Sequence, residues 1–301
     1  MIKTTIAKWK DNKQCALMLF FDDSLPSHII NAIPALKKRG LTGTFYINPG
    51  AKWFKPFKKE WDEIIPKTEM EYANHTMTHS GIKNLKHADE EIGDCCKYIL
   101  SVNPPSKTSK LISYATPGGL KKGCWNLSTE EMEEIKKKYH LITRLANRES
   151  LIHKKTTEEL YSFIDKALES ASAQTIPFHG VGGDWLSVPL KVFIPLIDRI
   201  AEEKEKIWVA GHIAVHKYET ERKTAKIEVL SSTESSIKLK LTSKADKTLY
   251  DEPLTLLSTL PANWKRSKII HNKKTKEIIP KNNQIIYNII PNCGEIEIIR
   301  L

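Results

Sequence analysis

Residues 15–21, Cys-Ala-Leu-Met-Leu-Phe-Phe, form an unbroken apolar run of strand length, and residues 26–39 follow with apolar positions at helical spacing that stops at Gly40. This reads as one β-α unit. The alternation recurs through strand-like runs near 43–48, 72–75, 110–115, 140–145, 175–180 and 207–210, with helical stretches at 87–101, 129–139, 156–171 and 189–204. Seven buried strands alternating with helices predict a parallel sheet, and closure into a barrel is the economical way to remove its edges. After about Lys223 the pattern changes to short alternating runs broken by Pro, Asn, Ser and charged residues, which predicts an all-β region, an accessory β-sandwich. The predicted domains are therefore 1–222, an α/β barrel, and 223–301, the sandwich.

With 301 residues and 40% hydrophobic content, a buried core is available and wholesale disorder is excluded. The net charge of +11 biases partners toward polyanions, and residues 223–301 carry 14 Lys and Arg against 8 Asp and Glu. That excess is too diffuse to name a partner. The five cysteines (Cys15, Cys95, Cys96, Cys124 and Cys293) are odd in number and lack CxxC spacing, so they predict neither a disulfide scaffold nor a zinc knuckle. No apolar run reaches the roughly 20 residues that span a bilayer, and Ile2, Lys3 and Thr4 after Met1 do not open a signal-type apolar stretch.

The first strand ends in Phe21-Asp22-Asp23-Ser24, two acids at the C-terminal strand end where parallel β/α folds assemble function. Read alone, one of them could simply cap the next helix. Asn74-His75-Thr76-Met77-Thr78-His79 follows another strand, and a four-residue His spacing can aim two imidazoles at one point on a helical turn. Two His and one carboxylate make an open metal site, and the second carboxylate stays free to take a proton from a bound water. Phe178-His179-Gly180 supplies a histidine at the end of the sixth strand, placed to protonate a leaving group or, alternatively, to sit in the core.

This set, together with Tyr114-Ala115-Thr116-Pro117-Gly118-Gly119, resembles the polysaccharide deacetylase family, the NodB-homology domain of carbohydrate esterase family 4, over roughly residues 8–222. The resemblance implies a distorted (β/α)7 barrel that hydrolyses acetyl groups from N-acetylated sugars or O-acetylated xylan with one divalent metal ion, usually zinc. It implies Asp22 as general base, His179 as general acid, and Asp23, His75 and His79 as metal ligands. Pro117 and Gly118 would contact substrate, and the backbone amide near Gly118 could donate to an oxyanion. Trp185, in a stretch that resembles members with an added sandwich, reads either as a wall of the acetyl pocket or as a packing residue. The resemblance also implies a secreted or periplasmic protein and leaves a cytoplasmic one open.

The chain departs from the family pattern at two points: Ser24 stands where Gly is common, and Ala115 stands where the third motif often carries an Arg that orients the base. Arg144 and Arg148, at the end of the fifth strand, are candidates to substitute. Three other classes compete with the deacetylase. A non-catalytic carbohydrate-binding relative is motivated by Ala115, an iron(II) oxygenase by the same two-His-one-carboxylate set, and a nucleic-acid binder by the charge alone. Nucleic acid is not an expected partner. His212 and His216 repeat the His spacing without an adjacent acid, and the glycines after His179 read as a turn rather than a phosphate loop.

Overall fold

Strand β2 (Cys15–Asp22) is buried at every position, as a strand covered on both faces must be. The computed structural model of the chain describes residues 3–102, 110–144 and 152–301. It divides into two compact units, one of Cys15–Val215 and one that combines Met1–Gln14 with His216–Leu301.

In the first unit, β2 is followed by β3 (Thr44–Ile47), β4 (Glu71–Asn74), β5 (Ile112–Tyr114), β6 (Leu141–Thr143), β7 (Ala173–Phe178) and β8 (Ile207–Val209). All pairings are parallel, in the order β6-β5-β4-β3-β2-β7, with β8 beside the start of β2. No β6–β7 pairing occurs among the described residues, so the seven-stranded ring is a distorted, open barrel. Helices α1 (Thr129–Lys138) and α2 (Thr157–Ser170) each start from a capping box, Ser128 with Glu131 and Thr156 with Glu159. Phe21 lies at the centre of the core, stacked on Phe45 at 4.6 Å and on Phe178 at 5.2 Å between ring centroids.

Register explains where function collects. Asp22 pairs with Tyr46, Phe21 with Phe178, Ile47 with Asn74, Asn74 with Tyr114, and Tyr114 with Thr143. The residues at or just past these strand ends (Asp22, Asp23, His75, Ala115, Arg144 and His179) therefore share one rim.

The second unit is antiparallel throughout. Strand β1 (Lys3–Ile6) pairs with β11 (Leu254–Thr259), which pairs with β14 (Gln284–Ile289). A five-stranded sheet runs β13 (Lys274–Ile278), β12 (Ser267–His271), β15 (Glu295–Arg300), β10 (Ser236–Thr242), β9 (Lys226–Ser232). Ile237, Leu239 and Leu241 are buried on alternate positions of β10, the period-2 pattern that the sequence showed. The division differs from the expected 1–222 and 223–301, because Lys3–Ile6 joins the antiparallel unit through its register with Thr259–Leu256. Nothing in the four residues Lys-Thr-Thr-Ile announces a partner 250 positions away.

Candidate active site

Asp22 is the last residue of β2 and is 4% exposed. Both of its carboxylate oxygens accept from Arg144, Nη1 to Oδ1 at 2.7 Å and Nη2 to Oδ2 at 2.8 Å, a bidentate pair. Burial works to raise the Asp22 pKa, but the charge and hydrogen bonds of Arg144 outweigh it and hold the carboxyl well below the usual range. Arg144 follows β6, and its backbone N–H donates to the Tyr114 carbonyl at 2.8 Å, continuing the parallel register. Its guanidinium lies over the Tyr46 ring, 4.3 Å from the centroid, and Tyr46 hydrogen-bonds Ser113 at 2.8 Å. Of the two arginines suggested for the role left open by Ala115, Arg144 makes the contact and Arg148 lies outside the described residues.

Asp23 has a different environment. Its backbone is left-handed (φ 77°), as is that of Ser24 (φ 51°), which turns the side chain away from that of Asp22. Trp53 donates its indole N–H to the Asp23 carbonyl, and Ser24 Oγ accepts from the Asn48 N–H at 2.6 Å, so the turn is held from outside. Asp23 Oδ1 stands 3.5 Å from His75 Nε2 and 3.4 Å from His79 Nε2, and it is buried without a hydrogen bond.

The two histidines are not on a helical turn as their spacing suggested. They lie in a loop after β4, with left-handed Thr76 (φ 67°) and His79 (φ 60°) bending the chain back on itself. Side chains hold that loop. Asn74 Oδ1 accepts from the Thr76 N–H at 2.8 Å, Thr76 Oγ1 from the His79 N–H at 3.1 Å, and Asn48 donates to the Thr76 carbonyl at 3.0 Å. Buried Glu91 accepts from both the N–H and the hydroxyl of Thr78, at 2.9 and 2.7 Å. Composition and spacing gave no hint of Glu91 or Asn48.

His75 Nδ1 is 2.8 Å from the Ala115 carbonyl oxygen. That oxygen only accepts, so Nδ1 carries the hydrogen, and in the neutral ring Nε2 presents a lone pair to Asp23. Burial and the neighbouring His75 push the His79 pKa down, which favours the neutral ligand form. A carboxylate oxygen and two imidazole nitrogens facing one another without hydrogen bonds form a cradle for a cation. Ligands at about 2.0–2.2 Å from one tetrahedral ion stand roughly 3.3–3.5 Å apart, which matches the two separations from Asp23. Asp23, His75 and His79 are the one such group among the described residues, their ligand atoms lying within 4.8 Å of one another.

His179, just past β7, completes the rim: its Nε2 is 4.0 Å from Asp22 Oδ2 and 4.0 Å from Asp23 Oδ2. Its backbone carbonyl accepts from Nε2 of His28 at 2.7 Å. Fully buried His28 has its pKa pushed down to about 4, chiefly by burial, so it is neutral and donates that hydrogen permanently. Pro117 and Gly118 lie beyond Ala115, and a Cβ at Gly118 would meet nothing within 4 Å. Among the described residues, His212 and His216 join no group that could hold a metal ion. His212 Nδ1 bonds Ser113 at 2.7 Å, and His216 Nε2 bonds the Tyr250 hydroxyl at 3.3 Å. A groove of about 690 Å³ in the antiparallel unit, lined in part by His271, Lys274 and Ile286, carries none of the paired acids and imidazoles of the rim.

Residues 10–148 match the family model described as polysaccharide deacetylase. No curated protein matches the chain. Among solved structures, peptidoglycan deacetylase PdaC from Bacillus subtilis superposes with a TM-score of 0.50 at 16% identity, over 68% of this chain and 91% of that one. A family 4 carbohydrate esterase from Streptomyces lividans, in complex with acetate, is 19% identical over 67% of this chain and 94% of its own, with a TM-score of 0.47. BA3943 from Bacillus anthracis, described as a CE4 family pseudoenzyme, is 15% identical over 67% and 64%, again with a TM-score of 0.47. The likeness to PdaC shows a shared fold.

Proposed function

The chain belongs, through residues 10–148, to the polysaccharide deacetylase family, and from that premise we propose that it hydrolyses acetyl groups from an N-acetylated or O-acetylated carbohydrate. The observation that carries this reading is the split of two adjacent acids, Asp22 paired to Arg144 and Asp23 turned to two imidazoles, with His179 4.0 Å from both. A divalent ion held by Asp23, His75 and His79, zinc by the character of the donor set, would acidify a bound water and polarise the acetyl carbonyl.

The chain's own groups do the rest. Asp22 takes the proton of the attacking water. The Arg144 fork fixes the orientation of that carboxylate toward the water. His179, kept in place by the His28 bond to its carbonyl, donates a proton to the departing amine or alcohol as the C–N or C–O bond breaks. In this reading the backbone amide near Gly118 would donate to the developing oxyanion, and Pro117 and Gly118 would contact the substrate. Acetate and the deacetylated sugar are the products, and the reaction suits a protein secreted or periplasmic. No helix among the described residues is long and apolar enough to cross a membrane.

The test is acetate release from a panel of acetylated chito- and xylo-oligosaccharides, with zinc and with chelator. Metal-dependent release supports the reading. Glycan binding without release would instead favour a non-catalytic relative.

A further inference from the structure

The two sheets of the antiparallel unit end on unlike edges. Strand β13 ends the five-stranded sheet and carries Lys274, Lys276 and Glu277, charges of the kind that keep an open edge from pairing with other chains. Strand β14 ends the three-stranded sheet, and from Gln284 to Ile290 the chain reads Gln-Ile-Ile-Tyr-Asn-Ile-Ile, without a charge or a proline. Ile286 and Ile290 are 40% and 36% exposed. An edge of this composition is a template for a further strand unless something covers it.

Register shows which backbone groups lie on the open side. The Leu260 N–H donates to the Asn283 carbonyl at 2.8 Å, so this pair and every second pair along the ladder exchange hydrogen bonds with β11. Ile285, Tyr287 and Ile289 therefore turn their N–H and C=O groups to β11. Ile286 and Asn288 turn theirs away, where no backbone partner meets them among the described residues. The groove of about 690 Å³ runs beside this edge, lined by buried Ile269, Tyr287 and Ile289 and by Lys274 and Lys276. Lys276 pairs with Ile269 across the β12–β13 ladder, so both lysines stand on the inner face of their sheet, where a sandwich ordinarily packs apolar side chains. Asp11, the one acid in the lining, is already engaged and accepts from Asn288 Nδ2 at 2.6 Å.

We propose that the β14 edge is a docking site for an extended acidic segment of another protein, which adds a strand to the three-stranded sheet. The inference is independent of the deacetylase reading. Successive side chains of an added strand point to opposite faces, and the two faces here ask for different chemistry. Inward-facing acids meet Lys274 and Lys276 across the groove, and outward-facing apolar residues lie beside Ile286 and Ile290 as cross-strand neighbours. The open N–H and C=O groups of Ile286 and Asn288 select a polypeptide backbone, which repeats at about 3.3 Å per residue. The two lysines select its sign, because a basic strand in the same place would set like charges together.

The experiment titrates the full chain with two octapeptides, one alternating Glu and Val and the other Lys and Val, and follows amide hydrogen exchange and affinity. The acidic peptide should slow exchange at Ile286 and Asn288 about tenfold or more, and the basic peptide should not. Reversing the charges with Lys274→Glu and Lys276→Glu together should weaken the acidic peptide about tenfold and admit the basic one. Ile286→Pro removes an edge N–H that makes no ladder bond, and should weaken binding about tenfold; Ile286→Lys tests the same edge should the proline variant not fold. Equal binding of the two peptides, or no protection of Ile286 and Asn288 by the acidic one, overturns the proposal. So does equal protection of these amides by an oligogalacturonate, which would assign the edge to a polyanionic glycan. A dimer in sedimentation that Ile286→Lys abolishes would assign it to a second copy of the chain and overturn the proposal as well.

Discussion

Asp22 and Asp23 are covalent neighbours, yet the two sides of the site they serve are built in opposite ways. The Asp22 side is electrically complete: a buried carboxylate meets a buried guanidinium through two hydrogen bonds, backed by the ring of Tyr46. The Asp23 side is built differently: a buried oxygen without a hydrogen bond faces two imidazole nitrogens. The first arrangement pairs its own charge; the second gathers three groups that could hold a cation. What separates them is the backbone between, where left-handed Asp23 and Ser24 turn successive side chains to different partners.

Asp22→Asn should cut acetate release by about 10²–10⁴-fold, as loss of a general base does, while leaving the imidazole side intact. A loss below tenfold would break the comparison at its catalytic end. Arg144→Met should leave Asp22 buried without its partner and lower stability by about 3–5 kcal/mol in urea unfolding. Arg144→Lys should recover only part of this, because an ammonium cannot match both oxygens. An unchanged midpoint would show that the pair is incidental.

His28 gives a pH signature. Its folded pKa of about 4 lies below the ordinary 6.5, so the unfolded chain binds the extra proton between these values. Its contribution to stability is therefore complete above pH 6.5 and is lost as the pH falls toward 4, by on the order of 3 kcal/mol at about 1.4 per pH unit. His28→Gln should flatten that part of the stability curve. A wild-type curve of the same slope in the variant would exclude His28 as the cause. The smallest expected effect is at Glu91, where Glu91→Gln should loosen the loop of His75 and His79 and weaken metal affinity about 10–100-fold without disturbing Asp22.

The strands of the parallel unit were legible because each is a short apolar run bounded by helix signals, and Asp22, Asp23, His75 and His79 were legible because local spacing carried them. Arg144 was one of two candidates, and choosing it required the register that sets it beside Tyr114. His28, Glu91 and Asn48 act through backbone atoms of loops distant in sequence, a relation that no periodicity records. The histidine spacing suggested a helical turn, whereas His75 and His79 lie in a loop bent by left-handed Thr76 and His79. Strand β1, with its remote partner, shows the same limit in the antiparallel unit.

The most direct test measures bound divalent metal per chain in wild type, Asp22→Asn and Asp23→Asn after equilibration with zinc. The account predicts about one ion in wild type and in Asp22→Asn, and a large deficit in Asp23→Asn. Equal loss in both variants, or full retention by Asp23→Asn, would contradict the division of labour between the two acids.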